Sequence, residues 1–471
     1  MSDVPSKSHA IARGLKYIDD GVFEDELRAA VSMKTESQTS EGFPELRRYI
    51  DELMIPAFEA MGFECKVYPN PFEGCGPFLL ATRHEGDNLP TVLGYGHGDV
   101  IQGLDDQWTK GKGPWELSKD GDKVYGRGTA DNKGQHILNM AAMCTIIEER
   151  GNLGFNSKVL IEMGEENGSK GLREVVTDNV VDFACDVFIG SDGPRVKPDR
   201  PTLSFGNRGA QNFDLLVELR EGGHHSGNWG GLLASPGAIL NNAIASIVDA
   251  NGVIQVKEWL PPPISNSVRD ALKDVEIDHG EDGPEIDPNW GQPGLTPPEK
   301  VYAWNSFEVL AMEIGTPAKP VNAIPPRAWA HCQLRYVVGT DRDDIQPALR
   351  RHLDAQGFDN VQINPPPYAN AIDFTATQLD LDSPWAMWVR KSVEETSGQK
   401  PALIPATGGS IGNDIFSEII GVPTIWIPHS YGACSQHAPN EHILLSGFRS
   451  AMEIMTGLYW DLGEGPTPGR A

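Results

Sequence analysis

Long hydrophobic runs are absent from this sequence, and no stretch approaches the roughly 18 residues needed to cross a bilayer. The opening MSDVPSKSHA also lacks the basic and then apolar pattern of a signal peptide. Basic residues are few, because Lys and Arg total 39 against 66 for Asp and Glu, and the formal net charge is -27. A surface of that sign repels nucleic-acid phosphates and anionic lipid. We therefore expect a cytoplasmic protein that has neither nucleic acid nor a membrane as a partner.

Cysteines with the CxxC spacing of metal or redox sites are missing as well. The chain of 471 residues is too long to need disulfide staples, and it exceeds what one hydrophobic core usually supports. We therefore expect two or three domains. We also expect six reduced, mostly buried thiols without a metal or redox role, at Cys65, Cys75, Cys144, Cys185, Cys332 and Cys434.

The pattern of apolar residues changes along the chain. In the first 205 residues, short apolar runs such as TVLGYG, KVLIEMG and DVFIGS alternate with helix-like segments such as HILNMAAMCTIIEE. This alternation predicts an α/β fold with a mostly parallel sheet and helices on both faces. After Arg208, β-like runs such as NFDLLVELR and AWAHCQLRYVV indicate an inserted α+β domain. Because the first pattern returns from about Pro384, we predict a discontinuous domain (1–206 and 384–471) around an insertion (207–383).

Acidic and imidazole side chains follow the predicted strands at the points where the strands end. In open α/β sheets, ligands bind beyond the carboxyl ends of the strands, so the loops that carry these side chains can converge on one crevice. Asp131 joins them from the start of a helix in GRGTADNKGQ. The residues after the four strands are His97 with Asp99, Glu165 with Glu166, Asp192, and His437.

The residue types in this crevice suit a pair of zinc ions. Zinc prefers imidazole nitrogen and carboxylate oxygen, and two ions ~3.5–4 Å apart need a shared carboxylate to offset their repulsion. One histidine and two carboxylates per ion, with one carboxylate shared, require five residues, and the sequence offers five. Each has a structural alternative, since a lone histidine is more often a surface group and Asp131 could cap its helix. Their joint placement at strand ends favours the metal site.

Five motifs resemble, in order and rough spacing, the metal-binding motifs of the M20 family of metallopeptidases. They are GHGDV (96–100), GRGTADNKG (126–134), EMGEENGSKG (162–171), SDG (191–193) and HAPNE (437–441), and the resemblance covers nearly the whole chain. It implies that His97 and Asp192 bind one Zn²⁺, that Glu166 and His437 bind the other, and that Asp131 bridges them. It also implies a cis peptide bond after Asp131. Mn²⁺ or Co²⁺ would accept similar ligands.

The same resemblance assigns Glu165 as the general base. A water that bridges two zinc ions is acidified, and a carboxylate beside it can accept its proton and deliver it to the leaving nitrogen. Adjacent residues in a loop point in different directions, so Glu166 can face the metal while Glu165 faces the water. Asp99, two residues after His97, is placed to accept the second N–H of the imidazole and fix its tautomer. The alternative for Asp99 is a solvated loop acid.

Substrate contacts are expected from the insertion and from a late loop. By composition GGHHSGNWGG (222–231) is only a flexible turn. The resemblance implies that its His225 stabilises the oxyanion of the reacting carbonyl, and that it does so in the active site of the partner subunit of a homodimer. Asn322 and Arg335 resemble the pair of the family that lines the substrate pocket, and Arg335 would bind the free carboxylate of the substrate. In TGGSIGND (407–414), Gly409 and Ser410 belong to a loop that resembles the one whose backbone N–H groups meet the same carboxylate.

We therefore predict a dizinc hydrolase that cleaves the amide bond of dipeptides or short peptides with a free C-terminal carboxylate. Residues 1–206 and 384–471 would form the catalytic domain, and residues 207–383 the lid and dimerisation domain. One alternative is an N-acyl-amino-acid amidohydrolase that uses the same two metals. Another is a non-catalytic binding protein that keeps the fold, although such proteins typically lose ligands and this sequence retains all five together with Glu165.

Overall fold

The structure is a computed structural model and describes residues 4–277, 285–367 and 373–469. Two sheets organise it. In chain order, their strands are β1 (Glu64–Tyr68), β2 (Phe78–Arg83), β3 (Thr91–His97), β4 (Asn156–Glu162), β5 (Val187–Gly190), β6 (Thr202–Ser204), β7 (Gly209–Glu218), β8 (Ser306–Ile314), β9 (Arg327–Tyr336), β10 (Gln362–Ile363), β11 (Asp373–Phe374), β12 (Ala402–Ile404) and β13 (Thr424–Trp426). The longer helices are α1 (Lys7–Asp19), α2 (Val22–Ser32), α3 (Lys133–Arg150), α4 (Pro236–Ile247), α5 (Ile345–Ala355), α6 (Pro384–Ser397) and α7 (Leu445–Glu464).

The larger sheet has eight strands in the order β1-β2-β4-β3-β5-β13-β6-β12. Its centre is parallel, because β4, β3, β5 and β13 run in the same direction, whereas β1 and β2 are antiparallel additions at one edge. Successive side chains of a strand point to opposite faces. Accordingly Val92 packs into the core beneath α3 and α7, and Leu93 packs into a second core on the other face. Both faces are covered, which confirms the predicted α/β fold.

Helix ends in this domain follow local sequence signals. In α6, the side chain of Ser383 accepts a hydrogen bond from the backbone N–H of Ala386, and Pro384 occupies the first helical position. Gly398 ends the helix with φ of 68°, a left-handed conformation that costs glycine little. The helix α3 is buried on nearly all sides, because it lies between the sheet and α7.

The smaller sheet is antiparallel, in the order β8-β9-β7-β10, and β11 also pairs with β7. Helices α4 and α5 cover one face, where alternate residues of β7 and β9 form a separate hydrophobic core with them. This sheet lies within the predicted insertion, whose boundaries at residues 207 and 383 stay a prediction.

Two further expectations concern thiols and membranes. All six cysteines are free, but Cys332 and Cys434 alone are fully buried, so the expectation of mostly buried thiols is wrong for the other four. These four are partly exposed, because Cys65, Cys144 and Cys185 pack only at the margins of the hydrophobic cores. Within the described ranges, every helix is too short or too polar to span a bilayer.

Candidate metal centre and substrate site

The side chains predicted as metal ligands lie at one edge of the large sheet. Strands β4, β3, β5 and β13 are parallel neighbours, so their carboxyl ends meet there. His97 is the last residue of β3, Glu166 lies in a single 3-10 turn after β4, and Asp192 follows β5 by two residues. Asp131 stands just before α3, and His437 lies in the segment after β13. The Asp131–Asn132 peptide bond is cis, as the family resemblance implies.

These five side chains form two groups of three, and Asp131 belongs to both. In the first group, His97 Nε2 lies 2.9 Å from Asp131 Oδ1 and 3.7 Å from Asp192 Oδ2. In the second group, His437 Nε2 lies 3.1 Å from Asp131 Oδ2 and 3.0 Å from Glu166 Oε2. The ligand atoms of each group lie within 4.8 Å of one another. Asp131 thus directs one oxygen to each group, as a bridging carboxylate must.

Crowding and burial disturb the ionisation of this cluster. Burial, reinforced by the negative charge of Asp131, raises the pKa of Glu166 to about 7 and the pKa of Asp192 to about 6. Hydrogen bonds with Asp131 and Glu166 raise the pKa of His437 to about 11. Glu166, Asp192 and His437 therefore hold protons more tightly than free groups do, and a cation among them would offset that effect. Imidazole nitrogens and carboxylate oxygens in this arrangement fit divalent zinc.

Glu165 lies in the same turn as Glu166 but uses its side chain differently. Burial raises the pKa of Glu165 well above its usual range, and the negative charges of Asp192 and Glu166 add to that shift. Within the described ranges, the Glu165 carboxylate has no hydrogen bond or ion pair with the protein, whereas that of Glu166 contacts His437. It is therefore free to exchange a proton with a molecule bound beside the cluster.

Asp99 contacts both the histidine and the glutamate turn. The sequence predicts that its carboxylate accepts the His97 N–H, but the nearer acceptor is the backbone carbonyl of Asp99, 3.1 Å from His97 Nδ1, against 3.4 Å for Oδ1. The Asp99 carboxylate instead accepts the backbone N–H groups of Glu165 (3.2 Å) and Glu166 (3.1 Å). Asp99 therefore couples the position of one ligand to that of another.

Glu441 holds the loop of the bridging aspartate, and the sequence analysis does not identify it. Its Oε1 accepts the backbone N–H groups of Ala130 (2.9 Å) and Asp131 (3.1 Å). Its Oε2 accepts the backbone N–H of Gly128 (3.0 Å) and the Arg127 guanidinium (2.8 Å). The side chains of Arg127 and Glu441 are each 1% exposed. The available signal was the last residue of HAPNE, an acid inside a motif already assigned to the site.

Arg335 and Ser410, both predicted to bind substrate, contact each other. Arg335 Nη1 donates to Ser410 Oγ (3.0 Å), and Ser410 Oγ donates to the backbone carbonyl of Arg208 (2.7 Å). The buried Arg208 guanidinium donates from Nε (3.2 Å) and Nη2 (3.1 Å) to the Gly408 carbonyl, beside Gly409. Arg208, which the sequence analysis uses only as a boundary, therefore fixes this loop. Within the described residues, neither arginine has a carboxylate in salt-bridge contact.

His225 and Asn322 lie close together on a short hairpin. A short antiparallel pair joins His224–His225 to Ala323–Ile324, and the backbone N–H of Ser226 donates to the Asn322 carbonyl (2.9 Å). The His225 side chain is exposed, and its Nδ1 accepts the Gly227 N–H (3.1 Å). Among residues 4–277, 285–367 and 373–469, no hydrogen bond or ion pair links this hairpin to the five candidate ligands. Its role in the reaction stays a prediction.

Several known proteins are similar to this chain in sequence and in fold. The family model described as peptidase family M20/M25/M40 matches residues 93–461. The Beta-Ala-His dipeptidase of Mus musculus is 33% identical over 82% of this chain and 80% of its own. The Cysteinylglycine-S-conjugate dipeptidase of Corynebacterium striatum is 26% identical over 71% of this chain and 72% of its own. The solved structure of the di-peptidase Dug1p from Saccharomyces cerevisiae, 20% identical, has a TM-score of 0.76 and covers 98% of this chain and 100% of that one.

The fold and the paired ligand groups are those of a metallopeptidase-like hydrolase with two candidate metal sites. The family match spans most of the chain, and the mouse relative exceeds 30% identity over most of both proteins. The chain therefore belongs to peptidase family M20/M25/M40 and is a hydrolytic enzyme of M20 type.

Proposed function

We propose that this enzyme is a dizinc dipeptidase, which hydrolyses the amide bond of dipeptides or short peptides with a free C-terminal carboxylate. The observation that carries the proposal is the pair of ligand groups that share Asp131, with the Glu165 carboxylate, which has no partner among the described residues, beside them. Dipeptides are supported as the substrate class because the aligned mouse and bacterial relatives are named as dipeptidases.

The residues of the cluster would divide the chemistry among them. When bound, the two cations would lower the pKa of a water between them and polarise the scissile carbonyl. Glu165 would accept the proton of the attacking water and deliver it to the leaving nitrogen, since no donor in the described part of the chain binds its carboxylate. Glu166, already in contact with His437, would remain a ligand. Mn²⁺ or Co²⁺ could occupy the same nitrogen and oxygen sites.

The substrate carboxylate would bind at Arg335. Burial lowers the pKa of Arg335, and burial together with the neighbouring positive charge of Arg335 lowers the pKa of Arg208 to about 10. Arg208 is buried and Arg335 is half-buried, and neither forms a salt bridge among the described residues, so an anion bound beside them would be stabilised. A C-terminal carboxylate would supply it, with Ser410 and the Gly409 backbone alongside. The free carboxylate of an N-acyl amino acid would fit equally well.

Distances along the smaller sheet favour a homodimer in which His225 acts on the partner's site. Arg335 lies near one end of β9, and the His225–Asn322 hairpin lies beyond the other end. The eight residue-to-residue steps from Arg327 to Arg335 span about 26 Å at ~3.3 Å per step. A dipeptide extends only about 7 Å. This separation supports a site in which the substrate meets Arg335 of one subunit and His225 of the other.

The surface near this hairpin is suited to a protein contact. Strand β8 is an edge strand of the smaller sheet, and its side chains Val309, Leu310 and Met312 are exposed. Val321 and Trp229, which flank the hairpin, are exposed as well. An open strand edge with apolar side chains is a surface that proteins usually cover. A second copy of the chain would cover it and would bring His225 to the neighbouring site.

A substrate panel tests the activity. The zinc-reconstituted protein is assayed against Cys-Gly and β-Ala-His, and against acetylated amino acids. We expect hydrolysis of the dipeptides to be the faster reaction. Faster hydrolysis of the acetylated amino acids would instead assign an N-acyl-amino-acid amidohydrolase, and inertness towards both classes would favour a binding protein.

Metal analysis of two variants tests the division of roles in the glutamate pair. Glu165→Gln should keep both metals and lose at least about a hundredfold in turnover, because the base is lost and the ligands are not. Glu166→Ala should lose metal, because it removes a ligand from the second group. Loss of metal from the first variant and retention in the second would reverse the assignment.

Subunit mixing tests donation by the partner. His225→Ala should lower kcat by about a hundredfold or more, as expected for a lost donor to the oxyanion, with unchanged metal content. A heterodimer of His225→Ala and Glu165→Ala subunits has one site that lacks both groups and one that lacks neither. The mixture should therefore regain activity that neither parent shows. If exchange of subunits is verified and no activity returns, His225 does not act across subunits.

A further inference from the structure

One face of the smaller sheet carries a row of polar side chains. Ala328, Ala330, Cys332, Leu334 and Tyr336 of β9 point into the core beneath α4 and α5. The alternate residues of β9 therefore point to the opposite face, and Asn212 and Asp214 of β7 lie there too. The five alternate residues are Arg327, Trp329, His331, Gln333 and Arg335.

Hydrogen bonds join this row into one chain that ends at the proposed carboxylate site. Arg335 Nε donates to Gln333 Oε1 (3.0 Å), and Gln333 Nε2 donates to Asn212 Oδ1 (2.7 Å). Asn212 Nδ2 lies 3.2 Å from His331 Nε2, and His331 Nδ1 lies 2.9 Å from Asp214 Oδ1. Cross-strand register makes these contacts possible, because Asn212 lies opposite Gln333, and Asp214 lies opposite His331.

The two ends of the chain fix the direction of every bond in it. Arg335 can only donate, so the Gln333 oxygen must face it and the Gln333 amide nitrogen must face Asn212. Asn212 then presents its nitrogen to His331, whose Nε2 must accept and therefore carries no proton. The proton of His331 therefore lies on Nδ1 and is donated to Asp214 Oδ1. A chain of bonds in one direction polarises each member and strengthens it.

The chain leaves the outer edge of the Arg335 guanidinium available. A guanidinium has five N–H donors. One is bound by Gln333 through Nε, and one by Ser410 through Nη1. The other three lie on Nη1 and Nη2, the pair of nitrogens that binds a carboxylate in the forked geometry. A protein carboxylate placed directly beside Arg335 would compete with the substrate carboxylate for these donors. Asp214 does not compete, because it lies three hydrogen bonds beyond Gln333.

We propose that Gln333, Asn212, His331 and Asp214 are positioning residues that orient Arg335 towards the substrate carboxylate. The inference rests on the proposed carboxylate-binding role of Arg335. Asp214 supplies the negative end, His331 and the two amides transmit the direction, and Gln333 holds Nε. Burial supports this role, since Asn212 is 5% exposed and Asp214 is 3% exposed, so that water cannot replace a lost partner freely.

Matched variants test the chain. Asn212→Leu removes both the donor and the acceptor, and His331→Leu does the same one step further away. His331→Gln keeps one donor and one acceptor, so it can preserve the direction of the chain. We expect both leucine variants to raise KM for Cys-Gly and β-Ala-His by about fivefold or more while kcat and metal content stay near wild type. His331→Gln should stay close to wild type, and KM for the C-terminal amides should hardly change in any variant.

Arg335→Ala in the same series separates two kinds of failure. If Arg335→Ala does not alter the preference for the free carboxylate over the amide, the proposed role of Arg335 fails. The positioning proposal alone is overturned in two cases in which Arg335→Ala does alter this preference. In one, both leucine variants match wild type; in the other, His331→Gln is as poor as His331→Leu.

Crystal structures of the wild type and of Asn212→Leu give a readout that is independent of activity. We expect the Arg335 guanidinium to leave its wild-type orientation in the variant, and an unchanged contact between Arg335 Nε and Gln333 would also overturn the proposal.

Discussion

Among residues that are not predicted metal ligands, Glu441 is the one whose substitution should disturb the metal centre most. The informative change is Glu441→Gln. The side chain keeps its size, but one carboxylate oxygen becomes an NH₂ group. Each oxygen of Glu441 accepts two donors, so either orientation of the amide places its NH₂ against two N–H groups. The Arg127 charge also loses its neutralising partner at 1% exposure.

The size of the effect follows from these contacts. Two buried donors left without acceptors cost about 1–3 kcal/mol each, and breaking a buried ion pair costs about 3–5 kcal/mol. The unsatisfied donors and the broken ion pair arise from the same local rearrangement, so their costs overlap. We expect a loss of about 3–5 kcal/mol in the free energy of unfolding. Since Glu441 also holds the Asp131 backbone, zinc affinity should fall by about 10–100-fold.

Urea unfolding of the metal-free protein, followed by tryptophan fluorescence, measures the first quantity, and calorimetric titration with Zn²⁺ measures the second. The double variant Arg127→Met with Glu441→Gln removes the buried charge as well, so it should regain part of the lost stability without regaining zinc affinity. If Glu441→Gln stays within about 1 kcal/mol of wild type and binds zinc as tightly, then the Glu441 carboxylate does not hold the bridging aspartate.

Two other outcomes are expected. Arg335→Ala should raise KM for a dipeptide about tenfold or more, because a charge-assisted hydrogen bond is worth about 1.5–3 kcal/mol. Amidation of the C-terminus should impair the wild type far more than this variant, and equal sensitivity would contradict the assignment. Chelation of the metals should lower the thermal unfolding temperature, because the crowded carboxylates around Asp131 would lose their counter-charge, and added Zn²⁺ should restore it. An unchanged melting curve after verified metal removal would argue against metals at this cluster.

Sequence reasoning predicted the fold because the relevant signals are local. Short apolar runs that end in glycine or a polar residue marked the parallel strands, and the carboxyl ends of parallel strands necessarily share an edge. For this reason five separated residues could be expected in one crevice, and the structure brings all five together. The change to long β-like runs after Arg208 likewise indicated an α+β domain, and the structure has there an antiparallel sheet with a hydrophobic core on one face.

The residues that sequence reasoning missed have partners that are distant in the chain and belong to the backbone. Glu441 accepts N–H groups more than 300 positions away, and Arg208 donates to a carbonyl 200 positions away. A backbone group has no residue type, so no pattern of letters reveals such a pairing. The polar chain behind Arg335 is hidden for a related reason, since it depends on the register between β7 and β9.

Asp99 and Glu441 together suggest why the ligand motifs contain acids in addition to the ligands. Asp99 contacts His97 and accepts the N–H groups of the turn that carries Glu166. Glu441 stands four residues after His437 and accepts the N–H of Asp131. Each acid therefore ties a ligand loop of one group to a residue of the other. A change at either acid should displace two candidate ligands at once, whereas a change at a ligand removes one. Within GHGDV and HAPNE, one residue is thus a candidate metal ligand, and a buried acid a few positions later holds the backbone of another ligand loop.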